Sequence, residues 1–252
     1  MSDPTVIMSD EGVVRISNSE IQTFKDCRRR WWLSYYRRFR PKTEGRTGPL
    51  ALGSRIHNAL DMHYAQDVPL LEAHKHFYDI DHAYLMSTFQ DTTDLEGEGE
   101  LGRRMLEGYE EWVRDNGIDA ELEMISTEEI ISMPMFNGEV ELQGKLDMRV
   151  RRKSDGVRMF RDWKTVGGGF AEFAAGAQMN EQILTYMLLE AAQNKDGERS
   201  EGGIFTLLKK VKRTAAARPP FYEQIEVRHN LFAVRNFWQR VHGVVAEMME
   251  AR

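Results

Sequence analysis

Two hydrophobic periods run along this chain, and the change from one to the other marks its elements. Between residues 140 and 151, Val140, Leu142, Leu146, Met148 and Val150 share one parity, while Lys145, Asp147, Arg149 and Arg151 share the other. That alternation is the period of a half-buried strand. Lys153-Ser154-Asp155-Gly156 follows, and Asp-Gly between two such runs signals a hairpin. The returning strand is predicted over 157–165. Further strands are predicted over 121–134, 202–208 and 221–227. Three- and four-residue spacing predicts helices over 17–38, from Gly53 onward, and over 70–90, 98–116, 178–193 and 230–249. Ser17 with Glu20 reads as a capping box for the first of these, and Ile56, Leu60 and Tyr64 form the buried stripe of the second. Gly167-Gly168-Gly169 reads as a flexible turn, and 41–49, with proline at each end, as an exposed linker. The order predicts an α/β fold in which a mixed central sheet is flanked by helices, behind an N-terminal helical region.

Composition narrows the class. The chain has 252 residues, enough for one domain with a full core. We expect a tail or edge strand over 1–16 and one domain over 17–252. Within it, 17–117 is mainly helical, 118–210 the sheet core, and 211–252 an edge strand and closing helix. No apolar run approaches a membrane span, and the acidic start Met1-Ser2-Asp3-Pro4 lacks the features of a signal peptide, so a cytoplasmic location is expected. A single cysteine, Cys27, excludes an internal disulfide framework. The net charge is −6, but it is segregated. Residues 25–46 carry +7 and residues 209–218 carry +5, which leaves −18 on the remainder. Two anion-facing surfaces on an acidic body are expected.

The candidate chemistry centres on that hairpin. Residues two apart on a strand face the same way, so Phe160, Asp162 and Lys164 share a side, and Asp147 and Asp162 fall on neighbouring antiparallel strands. Two carboxylates that close repel unless a cation lies between them or one is protonated. Few, hard oxygen ligands favour Mg²⁺ or Mn²⁺ over zinc. Such an ion activates water and offsets charge on a phosphate, and Lys164 is placed to orient that water. Taken alone, the Asp162-Trp163-Lys164 triplet reads more readily as an ordinary surface hairpin than as a site; the other elements reverse that order. His57 and Asp61, at i and i+4, lie on one flank of their helix. Gln182 and Tyr186 are similarly spaced on theirs. Arg28, Arg29 and Arg30 beside Trp31 have the basic–aromatic interleaving of single-strand binders, and Lys209, Lys210, Lys212 and Arg213 form a second basic segment. There is no Walker A sequence, so no built-in motor is expected.

The order Gly144-x-x-Asp147, Asp162-Trp163-Lys164-Thr165, Gln182-x-x-x-Tyr186, with Gly53-Ser54-x-x-His57 upstream, resembles the PD-(D/E)XK nuclease superfamily. More narrowly it is similar to the RecB-type exonucleases, including their CRISPR-associated branch. The resemblance spans roughly residues 17 to 210 and implies a restriction-endonuclease-like core. It implies His57, Asp147, Asp162 and the Trp163 carbonyl as metal ligands, Lys164 as the catalytic lysine, and Gln182 and Tyr186 lining the site near DNA. It also favours Glu128, among Glu123, Glu128 and Glu129, as an additional acid. The lone Cys27 departs from the iron–sulfur members of that branch, so no cluster is expected. The expected activity is a metal-dependent DNA exonuclease on single strands or free ends, in recombination, repair or phage DNA processing. A recombination or helicase partner, or self-association, would supply processivity. The alternatives are a non-catalytic nucleic-acid-binding module on the same fold and a metal-dependent endonuclease.

Overall fold

The alternating runs become strands of one six-stranded mixed sheet in the computed structural model, which describes residues 12–40, 45–193, 199–214 and 216–252. Residues 1–11 of the expected tail and 41–44 of the expected linker lie outside that set. The strands are β1 (Val14–Ser17), β2 (Leu122–Met135), β3 (Val140–Arg152), β4 (Arg158–Val166), β5 (Ser200–Lys209) and β6 (Tyr222–Arg228). β2, β3 and β4 are antiparallel neighbours, β5 runs parallel to β4, and β6 returns antiparallel to β5.

What positions the site is how β3 divides its two edges. β2 occupies one edge along its length. The other is shared: β1 pairs in parallel with residues 140–143, and β4 pairs with residues 148–151. Residues 144–147 pair with neither, so the sheet forks there.

Helices cover both faces. α3 (Pro49–Gln66), α4 (Leu70–Ser87) and α5 (Thr93–Asp115) lie on one side, with Leu52, Ile56, Leu60, Met105 and Tyr109 packed on Met148, Val150, Met159 and Trp163. α1 (Asn18–Asp26), α7 (Glu181–Gln193) and α8 (Leu231–Glu250) lie on the other, where Ile21, Phe24, Ile183, Leu189 and Phe237 meet Leu142, Leu146 and Phe160. No helix among the described residues is long and apolar enough to cross a membrane.

Three details differ from the sequence reading. The helix expected over 17–38 breaks at Cys27, whose backbone is extended, into α1, a short α2 (Arg28–Trp31) and a π-helical turn (Trp32–Tyr36). Ser17 does cap α1, accepting from the Glu20 N–H at 3.3 Å. Glu20 does not return the bond; it is buried and accepts from the Trp31 indole N–H at 2.9 Å. The break lets Trp31 fold back edge-on against Phe24, 5.0 Å between ring centres. Second, the stretch after the glycine triplet forms α6 (Phe170–Ala177), held by burial of Phe170 and Ala177. Third, the apolar parity of β3 does not face one core. Leu146 belongs to the core under α7 and Met148 to the core under α3–α5. A regular strand sends residues two apart to one side, so β3 rolls over at Asp147. Opposite it on β2, Glu128 sits in the left-handed region at φ 53° and has no ladder partner.

Candidate active site

The fork leaves backbone groups of β3 without a strand partner, and a buried polar backbone group needs a substitute. Tyr186 on α7 supplies one, its hydroxyl donating to the Lys145 carbonyl at 2.9 Å. Gly144 makes this approach possible: a Cβ there would lie 3.1 Å from the Tyr186 ring and 3.0 Å from Leu189. Gln182, one turn earlier on α7, donates from Nε2 to the Tyr186 oxygen at 2.7 Å and to Asp162 Oδ1 at 2.6 Å. The i, i+4 pair therefore links the open edge of β3 to the carboxylate on β4.

At the other side of the fork, α3 brings His57 to the strands. Its Nε2 lies 3.1 Å from Asp147 Oδ2 and 3.2 Å from the Trp163 carbonyl oxygen. The Trp163 N–H donates to Asp147 Oδ2 at 3.3 Å, so a side chain takes the place of a strand partner at this point. Lys164 Nζ stands 2.6 Å from Asp162 Oδ2, an ion contact without hydrogen-bond alignment. Asp162 is 1% exposed and that oxygen is enclosed.

The protonation equilibria report the crowding. Burial opposes the charged form of His57, but hydrogen bonds and charge from Asp147 and Asp61 outweigh it and raise its pKa to about 10. Burial also pushes Asp147 up, yet His57, Lys164 and the Trp163 N–H together hold it below the ordinary carboxylate value. Asp162 is pushed up to about 6, by burial first; the Asp147 charge adds to this and Lys164 opposes it. Burial and the neighbouring Asp147 charge both disfavour an ionised Asp162, a penalty that a bound cation would offset.

The donor set fits a hard divalent ion. One imidazole nitrogen, carboxylate oxygens and a peptide carbonyl converge, and one enclosed carboxylate oxygen lacks a hydrogen bond. His57, Asp61 and Asp147 offer ligand atoms that all lie within 4.8 Å of one another. Asp162 stands outside this tight group, turned toward Lys164 and Gln182. Asp61, to which the sequence reading gave no role, lies 3.6 Å from His57 Nδ1, on the far side of the ring from Asp147. The i, i+4 spacing was the available signal. Glu128 also reaches this corner and pairs with Lys145.

Trp163 is held from behind. Arg161, buried on the opposite face of β4 from Asp162, donates to Asp119 (2.7 Å), Tyr109 (3.0 Å) and Thr206 (3.3 Å), and its guanidinium lies 5.0 Å from the Trp163 ring. Tyr109 also accepts from the Trp163 indole N–H at 2.9 Å, and Tyr64 stacks on the ring. With the ring pinned, the Trp163 peptide keeps its carbonyl toward His57. An arginine in an alternating run reads as a surface residue, and so this support was missed.

The basic segments divide. Arg28, Arg29 and Arg30 are exposed, and Arg28 pairs with Glu247. Trp31 is 1% exposed, and with its N–H committed to Glu20 it has no free face for a base; the expectation that it binds DNA is corrected. Its neighbour Trp32 is the exposed aromatic, with Arg37 over its ring. Lys209 ends β5 opposite Val166 at the end of β4, and the Lys210 N–H that follows donates to the Val166 carbonyl at 2.8 Å. Lys212 is exposed. Arg213 folds back onto Phe221 and donates to the Tyr222 hydroxyl at 3.0 Å.

The comparisons with known proteins bear on the family and the fold. The sequence model of the PD-(D/E)XK nuclease superfamily matches residues 15–251. Among solved structures, one described as "Putative exonuclease" from Eubacterium rectale superposes with a TM-score of 0.56 at 11% identity, covering 100% of this chain and 85% of its own. That likeness concerns the fold. A second, SSO0001, reaches a TM-score of 0.30 at 14% identity over 88% of this chain and 80% of its own, too loose a match to carry an argument. No protein of curated function matches in sequence.

Proposed function

Because the chain belongs to the PD-(D/E)XK nuclease superfamily, we propose that it is a Mg²⁺- or Mn²⁺-dependent exonuclease. Its substrate in this reading is DNA with a free end, and its setting is recombination, repair or phage DNA processing. The observation that carries the reading is the convergence of His57, Asp147 and the Trp163 carbonyl beside a buried Asp162–Lys164 pair at the sheet fork.

His57, Asp147, Asp162 and the Trp163 carbonyl would hold the ion. When bound, a divalent cation supplies Lewis acidity toward a phosphate oxygen and the attacking water. Lys164 orients that water for in-line attack: a bond forms from water oxygen to phosphorus, the bond to the departing nucleotide oxygen breaks, and the ammonium offsets charge on the non-bridging oxygens. Gln182 fixes the Asp162 carboxylate, and Tyr186 fixes Gln182. Arg29, Arg30 and the 209–212 segment supply phosphate contacts on either side, which position a strand without reading its sequence. Exonuclease action, rather than cleavage within a circle, rests on the resemblance to RecB-type exonucleases, and the description of the Eubacterium rectale protein is in line with it.

The test is digestion of linear DNA, single- and double-stranded and labelled at either end, with Mn²⁺, beside a closed circle and the Lys164→Ala protein. Release of short products from one end, lost in the variant and absent on the circle, is expected. Cutting of the circle moves the assignment to an endonuclease. Tight DNA binding with no cleavage by the unaltered protein moves it to a strand-capture module.

A further inference from the structure

Beside the proposed ion lies an acidic corner that its ligands do not use. Asp61 on α3 groups with His57 and Asp147 there, and Glu128 on β2, opposite Asp147 along the ladder, pairs with the Lys145 ammonium. Lys145 and Asp147 are two apart on β3 at the fork. Glu128 reaches the corner through its left-handed backbone, a strained conformation for a non-glycine residue that the surroundings must hold in place. Asp61 Oδ1 and Glu128 Oε1 are both enclosed. Paired-ion nuclease centres hold their cations about 3.5–4 Å apart across a shared carboxylate. Asp147, with Asp61 and Glu128 beyond it, has the makings of such a bridge, except that a lysine already lies there.

Charge counting points the same way. Asp61, Glu128, Asp147 and Asp162 carry four negative charges against two from Lys145 and Lys164, and His57 must be neutral to bind a metal. One divalent ion brings the group to neutrality; a second would leave it doubly positive around the mostly buried Asp61, Asp147 and Asp162 carboxylates, where unpaired charge is costly.

We propose that the Lys145 ammonium takes the place a second divalent ion would hold, so that the centre works with one ion and Lys145 supplies the other positive charge. The inference rests on the metal-centre reading given above. Half of the Lys145 side chain is exposed, so its removal admits water and does not open a cavity in the core.

The experiment is titration of the full chain with Mn²⁺, followed by calorimetry and by electron paramagnetic resonance. One ion is expected for the unaltered protein and for Lys145→Arg, which keeps the cation. Two are expected for Lys145→Met and Lys145→Gln, with the exchange-coupled spectrum of a close pair. Lys145→Met combined with Glu128→Gln should return to one. Two ions on the unaltered protein, or a single ion on both neutral variants with native circular dichroism, overturn the proposal. No Mn²⁺ on the unaltered protein removes the metal centre itself, and this inference with it.

Discussion

Asp162 shows what burying a carboxyl beside a second one costs the fold. Its carboxyl is raised to about 6, chiefly by burial. A carboxyl that binds its proton more tightly in the folded state stabilises the fold least when ionised, so stability falls as pH rises from about 4 to 6 and stays reduced above. Asp162→Asn should therefore raise the Tm of the metal-free protein at pH 7.5 and abolish the further rise that Mn²⁺ gives the unaltered protein. Differential scanning fluorimetry with and without Mn²⁺ reads both effects. His57 has the same sign of pH dependence in a higher window. Its charged form is held by Asp147 and Asp61 up to about 10, so that contribution is complete below its ordinary value near 6.5 and is lost as pH climbs through 10. A metal needs the neutral ring. Mn²⁺ binding at pH 8 should release about one proton per ion, measured as the dependence of calorimetric heat on buffer ionisation enthalpy, and His57→Gln should abolish the release.

At the scale of elements, the fork in the sheet leaves β3 backbone groups without a strand partner, and the candidate site residues gather there. α7 compensates for it with one hydroxyl, donated by Tyr186 to the open Lys145 carbonyl and shared with Gln182. Tyr186→Phe leaves that carbonyl and one Gln182 donor without a partner, which should lower stability by about 1–2 kcal/mol. It should also reduce kcat more than it raises KM, because Asp162 loses the support of a fixed Gln182. Urea unfolding gives the first quantity and steady-state digestion the second. β4 has a similar division of labour: Asp162 and Lys164 face the fork, while Arg161 and Trp163 anchor the strand to α3 and α5 from behind.

Over the whole molecule, residues 25–46 and 209–218 are net positive while the remainder is net acidic, an arrangement that would guide a polyanion toward the first two and repel it elsewhere. Removing one cation from a phosphate should lower the slope of log affinity against log salt by roughly 0.7 for a single strand. Arg29→Glu with Arg30→Glu should therefore weaken single-strand binding regardless of sequence, flatten the salt dependence and leave kcat at saturating DNA in place. Fluorescence anisotropy across a salt series checks this. Arg213→Ala belongs to a different class, since its side chain is bound to Phe221 and Tyr222; a loss of stability is expected there without a change in salt slope.

The sequence alone determined what depends on neighbours two to four residues away. The alternation through 140–151, the Asp-Gly turn, the stripe of α3 and the Ser17 cap each reappear in the fold within a residue or two. So did the facing of Asp162 and Lys164, since two-residue periodicity holds wherever a strand is regular. It failed where the strand is irregular. The roll of β3 at Asp147 arises because β1 and β4 claim different halves of one edge and Glu128 leaves the ladder opposite, and none of these partners is near in sequence. The burial of Trp31 depends on Glu20 turning inward, and the buried Arg161 depends on acceptors from α5, β5 and the segment before β2. The resemblance favoured Glu128 as an extra acid and the i, i+4 spacing put Asp61 beside His57, but only the tertiary structure brought Lys145 to Glu128 at this corner, because charge crowding is a property of distance in space, and local periodicity carries no information about it.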